Sequence, residues 1–112
     1  MIEAFNERRF DDFGDGFTPT VVLAFPQSGE VIVGGARIGE MYRASPSSPE
    51  LTVETIDQID DIVLVFATPD YGDDVKWTVL LVFEFEGDVV SRQTAHFGAP
   101  FDRPAWRKPF TD

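Results

Sequence analysis

His96 is the one side chain of this sequence whose ordinary pKa lies near neutrality, so it is the first candidate for acid–base work. The other reactive types are carboxylates. Asp70, Asp73 and Asp74 are spaced somewhat like a calcium loop but lack its twelve-residue spacing and closing Glu, which leaves a solvated hairpin tip. Asp60-Asp61 reads the same way. Ser28 sits in a turn without a partner base, so it has nothing to make it a nucleophile. Gly34-Gly35 with Gly39 is no dinucleotide loop, because no long βαβ unit surrounds it. The absence of cysteine excludes disulfides, thiolate zinc sites and a thiol nucleophile. With a single histidine, an imidazole-rich metal site is excluded too, and no metal or cofactor is expected.

Whether His96 faces inward depends on the register of the hairpin that carries it. A two-residue turn at Gly87-Asp88 pairs His96 with Val79, on the face of Trp77, Leu81 and Phe83. One extra loop residue turns Ala95 and Phe97 to that face and sends His96 outside. Arg92 and Gln93 lie mid-strand, so one of the two must point inward. A buried Arg92 would need a carboxylate such as Glu84, and a cross-strand pair between them is the expected role.

The aromatic residues Phe25, Tyr42, Trp77, Phe83, Phe97 and Trp106 exceed what a small core needs. They fit an apolar pocket with a few polar tips, and they fit core packing equally well. Trp77 and Tyr42 each carry one hydrogen-bonding atom, which suits orienting a flat, mostly apolar ligand.

These residues belong to 112 positions, one domain by length, with 43 % hydrophobic residues to fill its core. Twenty acids against nine bases give a net charge of −11, which repels phosphate backbones and anionic membranes. No nucleic-acid or membrane partner is expected. The longest apolar run, Ile62 to Ala67, is far short of the ~20 residues of a membrane helix. Charged residues occupy the N-terminus where a signal peptide would be apolar, so a cytoplasmic location is expected.

Periodicity supplies the elements. Ile2, Phe5, Phe10 and Phe13 form a helical stripe stopped by Gly14 and Gly16. Strands are expected at 20–25 and 30–33 around the turn Pro26 to Gly29. Ile38, Met41 and Tyr42 place a short helix at 36–44, and Ser45 to Pro49 reads as a loop. Four strands follow, at 51–59, 62–67, 75–86 and 89–97, separated by Asp60-Asp61, Pro69 to Asp74 and Gly87-Asp88. Helices grouped before a meander predict an α+β fold, a curved antiparallel sheet with the helices on one face.

The segments FNERRFDDF (5–13), AFPQSGE (24–30), GGARIGEMYRAS (34–45) and FEFEGDVVSRQTAHFGAPFDRPAWR (83–107) resemble the SnoaL-like, nuclear-transport-factor-2-like superfamily. The resemblance covers nearly the whole chain, and the last segment is the most specific. It implies one cone-shaped domain over 1–112 with an internal pocket, and commonly a homodimer built through the sheet face. The family's first helix usually starts a few turns earlier, so Met1 falls inside it and part of the pocket lid is expected to be missing. Steroid-isomerase-like relatives place a general-base Asp where Phe25 stands, and their oxyanion donors would fall near Met1 and Leu81. Epoxide-hydrolysing relatives and many cyclases carry an Asp at the position of Ala95, which favours the register that turns Ala95 inward. None of these residues can do that chemistry, and losing one oxyanion donor alone costs about two to four kcal/mol.

The expectation is therefore a container for a small apolar or aromatic ligand, lined by Phe25, Tyr42, Trp77, Leu81, Phe83, Ala95 and Phe97. Two alternatives stand beside it. One is a SnoaL-like isomerase, cyclase or hydrolase on a polyketide-like or steroid-like substrate, with His96 as acid/base. The other is a homodimeric interaction module.

Overall fold

Alternating apolar residues between short polar turns make six strands of this chain in the computed structural model, which describes residues 16–45 and 49–112. They are β1 (Phe17–Phe25), β2 (Glu30–Val33), β3 (Glu50–Ile59), β4 (Ile62–Asp70), β5 (Thr78–Glu86) and β6 (Val89–Gly98). One α-helix, α1 (Gly35–Ala44), separates β2 from β3, and a 3-10 turn, Ala105–Phe110, follows β6. The expected stripe at 2–13 and most of the loop at 45–49 lie outside the described residues.

The strands form one curved, unclosed sheet in the order β2-β1-β6-β5-β4-β3. The meander β3 to β6 is antiparallel, as its short turns require, whereas β1 runs parallel to β6. Local turn signals could not announce that last pairing, since it joins opposite ends of the chain. Both edges are poor templates for a further strand. β2 has only four residues, and β3 carries Glu50, Glu54 and Asp57 with a register irregularity between Val53 and Thr55.

Gly34 is the hinge between β2 and α1. Its φ of 100° is open to glycine and strained for other residues, and its N–H still bonds the Val21 carbonyl at 2.8 Å. The helix then lays Ile38, fully buried, against the inner side of β1 and β2, with Met41 and Tyr42 half-buried beside it. That periodicity is the one read from the sequence. Phe17, Val21, Leu23, Val65, Ala67, Val79, Leu81, Phe83, Val90 and Ala95 complete the core among the described residues.

β5 is shorter than expected and begins at Thr78 rather than Val75. The residues before it are held locally: Asp73 Oδ1 accepts from the Val75 N–H, and Trp77 packs edge-on against Tyr71 at 5.6 Å.

The register of the β5–β6 hairpin sets which of its residues face the core. Glu86 pairs with Val89 across a two-residue turn, with Gly87 at φ 64° as a turn of this length demands. Phe85 then pairs with Val90, but Glu84 pairs with Arg92, so Ser91 is an extra residue with no partner. This is a β-bulge. The Ser91 hydroxyl donates to the Glu84 carbonyl at 3.1 Å and satisfies an acceptor at the break. The inserted residue thus sits in the strand, not in the loop. From Arg92 onward it turns Gln93, Ala95 and Phe97 inward, and Arg92, Thr94 and His96 outward.

Ser91→Ala should lower the unfolding free energy by about 1 kcal/mol, the worth of one such hydrogen bond. Deleting Ser91 should abolish cooperative unfolding, because every later side chain of β6 would change face. Urea denaturation followed by tryptophan fluorescence measures both, and unchanged midpoints would show that the bulge does not set the register.

Candidate functional site

The inner face of the sheet is a set of cross-strand rows. One row runs Ile32, Leu23, Gln93, Phe83, Val63 across five strands. The next contains Ala95, Leu81 and Val65, and the next Phe97, Val79 and Ala67. Apolar side chains fill these rows except at Gln93. That amide is 2 % exposed, lies between Leu23 and Phe83, and its Oε1 has no hydrogen-bond partner.

Where β1 turns into β2, the same face opens into a depression of about 450 Å³ lined by Phe25, Gln27, Ser28, Glu30, Met41 and Phe97. Its volume falls in the range of small-molecule sites. Phe25 and Phe97 form its aromatic wall, with ring centroids 6.3 Å apart and planes inclined by 26°. Gln27 fixes that wall. Its Oε1 accepts from the Phe97 N–H at 3.0 Å while its Nε2 donates to the Phe97 carbonyl, so one side chain closes the end of β6 as a strand would. Glu30 pairs with Phe25 across the hairpin and supplies the one carboxylate of the lining.

Of the ligand-lining residues expected from the sequence, Phe25 and Phe97 border this depression. Leu81, Phe83 and Ala95 are buried farther in on the same face. Tyr42 packs against the core from α1, where burial, with the neighbouring Tyr71 adding to it, pushes its hydroxyl well above the ordinary 10.0. Trp77 stands apart, against Tyr71, with its indole N–H reaching Asp73 Oδ2 at 3.4 Å. His96 is exposed on the outer face, paired with Leu80. Arg92 lies there as well, 3.6 Å from Glu84, a cross-strand ion pair open to water and worth little. Gln27 and Met41 were not among the lining residues expected from the sequence. The Pro-Gln-Ser-Gly turn was legible, but nothing local shows that its glutamine reaches a strand 70 residues away.

The acidic loop does structural work. Asp70 Oδ1 accepts from the Gly72 N–H at 2.8 Å, and Asp73 uses both oxygens on Val75 and Trp77. Among the described residues no group of three His, Cys, Asp or Glu side chains is arranged to hold a metal ion. None of the described helices is long and apolar enough to cross a membrane.

Gln27→Ala removes both bonds to Phe97 and should cost about 1–2 kcal/mol in urea denaturation. A loss below the error of the measurement would show that the clamp does not hold the aromatic wall. The two tyrosines give a test by pH. Burial raises both Tyr42 and Tyr71, with Asp73 adding to the second, so their neutral forms are favoured in the fold. The resulting stability is fully present below the ordinary 10.0 and is lost as pH rises through the raised folded values. Tyrosinate absorbance should therefore lag behind a free-tyrosine titration, and the part due to Tyr42 should appear together with unfolding. Ionisation of both in the ordinary range with the fold intact would contradict their burial.

A profile of the SnoaL-like domain matches residues 1–93. No curated protein matches the chain. Among solved structures, a candidate ketosteroid isomerase from Kribbella flavida superposes with a TM-score of 0.91 at 22 % identity, covering 99 % of this chain and 82 % of that one. An NTF2-like protein of unknown function from Burkholderia xenovorans gives 0.84 at 23 %, over 98 % of this chain and 86 % of its own. An LEH-like epoxide hydrolase from M. tuberculosis gives 0.72 at 20 %, over 87 % and 76 %. At such identities the structural likeness is one of fold, and the profile supplies the kinship: the chain belongs to the SnoaL-like domain family.

Proposed function

We propose that this protein binds a small, largely apolar molecule on the inner face of its sheet and has not kept the acid–base machinery of the enzymes that share its fold. The observation that carries this reading is the makeup of the inner rows. They are aliphatic and aromatic, interrupted by one uncharged amide, and open at the Phe25–Phe97 wall. Structural relatives bear the names of a ketosteroid isomerase and an epoxide hydrolase, so the fold accommodates small-molecule substrates elsewhere. The resemblance implies a general base at Phe25, oxyanion donors near Met1 and Leu81 and a carboxylate at Ala95, and none of these four side chains transfers a proton or donates a hydrogen bond. An enzyme built on His96 finds no support, because the imidazole lies on the far side of the sheet from the depression.

The outer face favours a second copy of the chain as partner. Val31 (58 % exposed), Val33 (48 %) and Phe66 (46 %) stand on it, with Val22, Leu80 and Val82 between them. A homodimer through this face would leave the depression free and make His96 an interface residue.

The first test is mass spectrometry of the denatured protein to identify any co-purified small molecule, followed by calorimetric titration. Phe97→Ala should weaken binding of that molecule by about 2 kcal/mol, while His96→Ala should leave affinity within a few-fold. A large loss at His96 with none at Phe97 would reverse the proposal. For the dimer, sedimentation velocity should give twice the chain mass, and Phe66→Asp should return the monomer. A wild-type monomer at micromolar concentration rules the dimer out.

A further inference from the structure

The three most exposed large apolar side chains among the described residues all follow β6: Phe101 (79 %), Trp106 (73 %) and Phe110 (84 %). Neither α1 nor any strand packs extensively against the 3-10 turn Ala105–Phe110. The segment is nevertheless built. Arg103 Nη1 donates to the Thr111 hydroxyl at 2.8 Å, and that hydroxyl donates to the Lys108 carbonyl at 3.0 Å. The Arg107 guanidinium lies over the Trp106 ring at 5.7 Å. Arg103, Arg107 and Lys108 against Asp102 and Asp112 give residues 99–112 a net charge of +1. Residues 1–98, with six bases against eighteen acids, carry −12. The complementary surface is β3. All its residues but Leu51 are exposed, with Ile59 on the outer face beside Ile62 and Ile56 on the inner side beside Val65. The strand and its turn carry Glu50, Glu54, Asp57, Asp60 and Asp61 and no base. None of these acids, and none of the three bases after β6, makes an ion pair among the described residues.

We infer that residues 99–112 form an arm that lies along β3 of a second copy, its aromatic rings on Ile56 and Ile59 and its bases against the acids of that strand. The inference rests on the homodimer reading and adds the segment that holds the two copies together. Residues 99–104 form no helix or strand, and extended they reach roughly 20 Å, about four strand spacings. In a two-fold dimer the exchange is reciprocal. Burying roughly 150 Å² on each ring gives about 450 Å² per arm and about 1,800 Å² over both arms and both receiving strands, the size of a stable interface. The hydrogen bonds within the arm fix its shape before contact, which lowers the cost of ordering it. Charge selects the partner, since the one basic segment meets an acidic strand that is also apolar.

The test reverses charge on one side at a time, at exposed positions. One variant carries Arg103→Glu and Lys108→Glu, the other Glu50→Lys and Asp57→Lys. By sedimentation velocity, the dimer of each variant alone should be weakened about tenfold, and an equimolar mixture should return to within a few-fold of wild type. In the mixture each reversed arm meets a reversed strand and each native arm a native one, a match available only between chains. A second measurement keeps arm and strand native, so it decides even where a reversed variant folds poorly. In Trp77→Phe, which leaves Trp106 as the sole tryptophan, acrylamide should quench the dimer several-fold less than a peptide of residues 99–112. Reversed variants that dimerise as tightly as wild type would overturn the arm and leave the homodimer reading standing. Weakened variants without rescue on mixing, or a Trp106 in the dimer as open to quencher as in the peptide, would overturn the arm as well. A wild-type monomer at micromolar concentration would overturn both.

Discussion

The single residue inserted at Ser91 governs the rest of this structure. Before it, Val90 faces the core opposite Phe85, and after it Gln93, Ala95 and Phe97 do. Apolar residues thus change phase within the strand, and an unbroken β6 could not bury both sets. Keeping the phase of Val90 would set Arg92 in the dry row between Leu23 and Phe83. A guanidinium there would need a carboxylate and full hydrogen bonding to offset its lost hydration, several kcal/mol for an ion. The bulge avoids that cost at the expense of one interrupted ladder step, which the Ser91 hydroxyl repairs.

The phase change explains what the sequence could and could not show. The residues of the hairpin left two registers open, and only the resemblance, through Ala95, favoured the one with an extra residue. The position of that residue was not legible, because an inserted loop residue and a bulge produce the same downstream alternation. Turns were legible where the chain reverses in two to four residues, as at Pro26 to Gly29, Asp60-Asp61 and Gly87-Asp88, since there local conformation decides. The short helix was legible from Ile38, Met41 and Tyr42. The parallel join of β1 to β6 and the reach of Gln27 to Phe97 are contacts between distant segments, which no local window contains. Trp77 misled for a related reason: its apolar mass suits the start of a long strand, while Tyr71 and Asp73 hold it in the preceding loop. The fold class came from the resemblance and the meander together, and the family profile bears it out.

A sheet with one residue pattern per face does two separate things. On β6 the inward set is Gln93, Ala95 and Phe97, and the outward set is Arg92, Thr94 and His96. All the charge of the strand lies outside, where water or a partner solvates it, and the inner set holds only a neutral amide. This segregation is what desolvation alone would impose.

Chemistry on the inner face would require the opposite arrangement. A general acid or base must hold or release a proton where the ligand lies, so an ionisable group would have to enter a row such as Leu23–Gln93–Phe83. Alone, that group would stay neutral, because burial opposes its charged form. To act it would need a second polar residue beside it, at Leu23 or Phe83, to stabilise the charge as it forms. A single amide among hydrocarbons offers hydrogen bonding without a proton that titrates near neutrality.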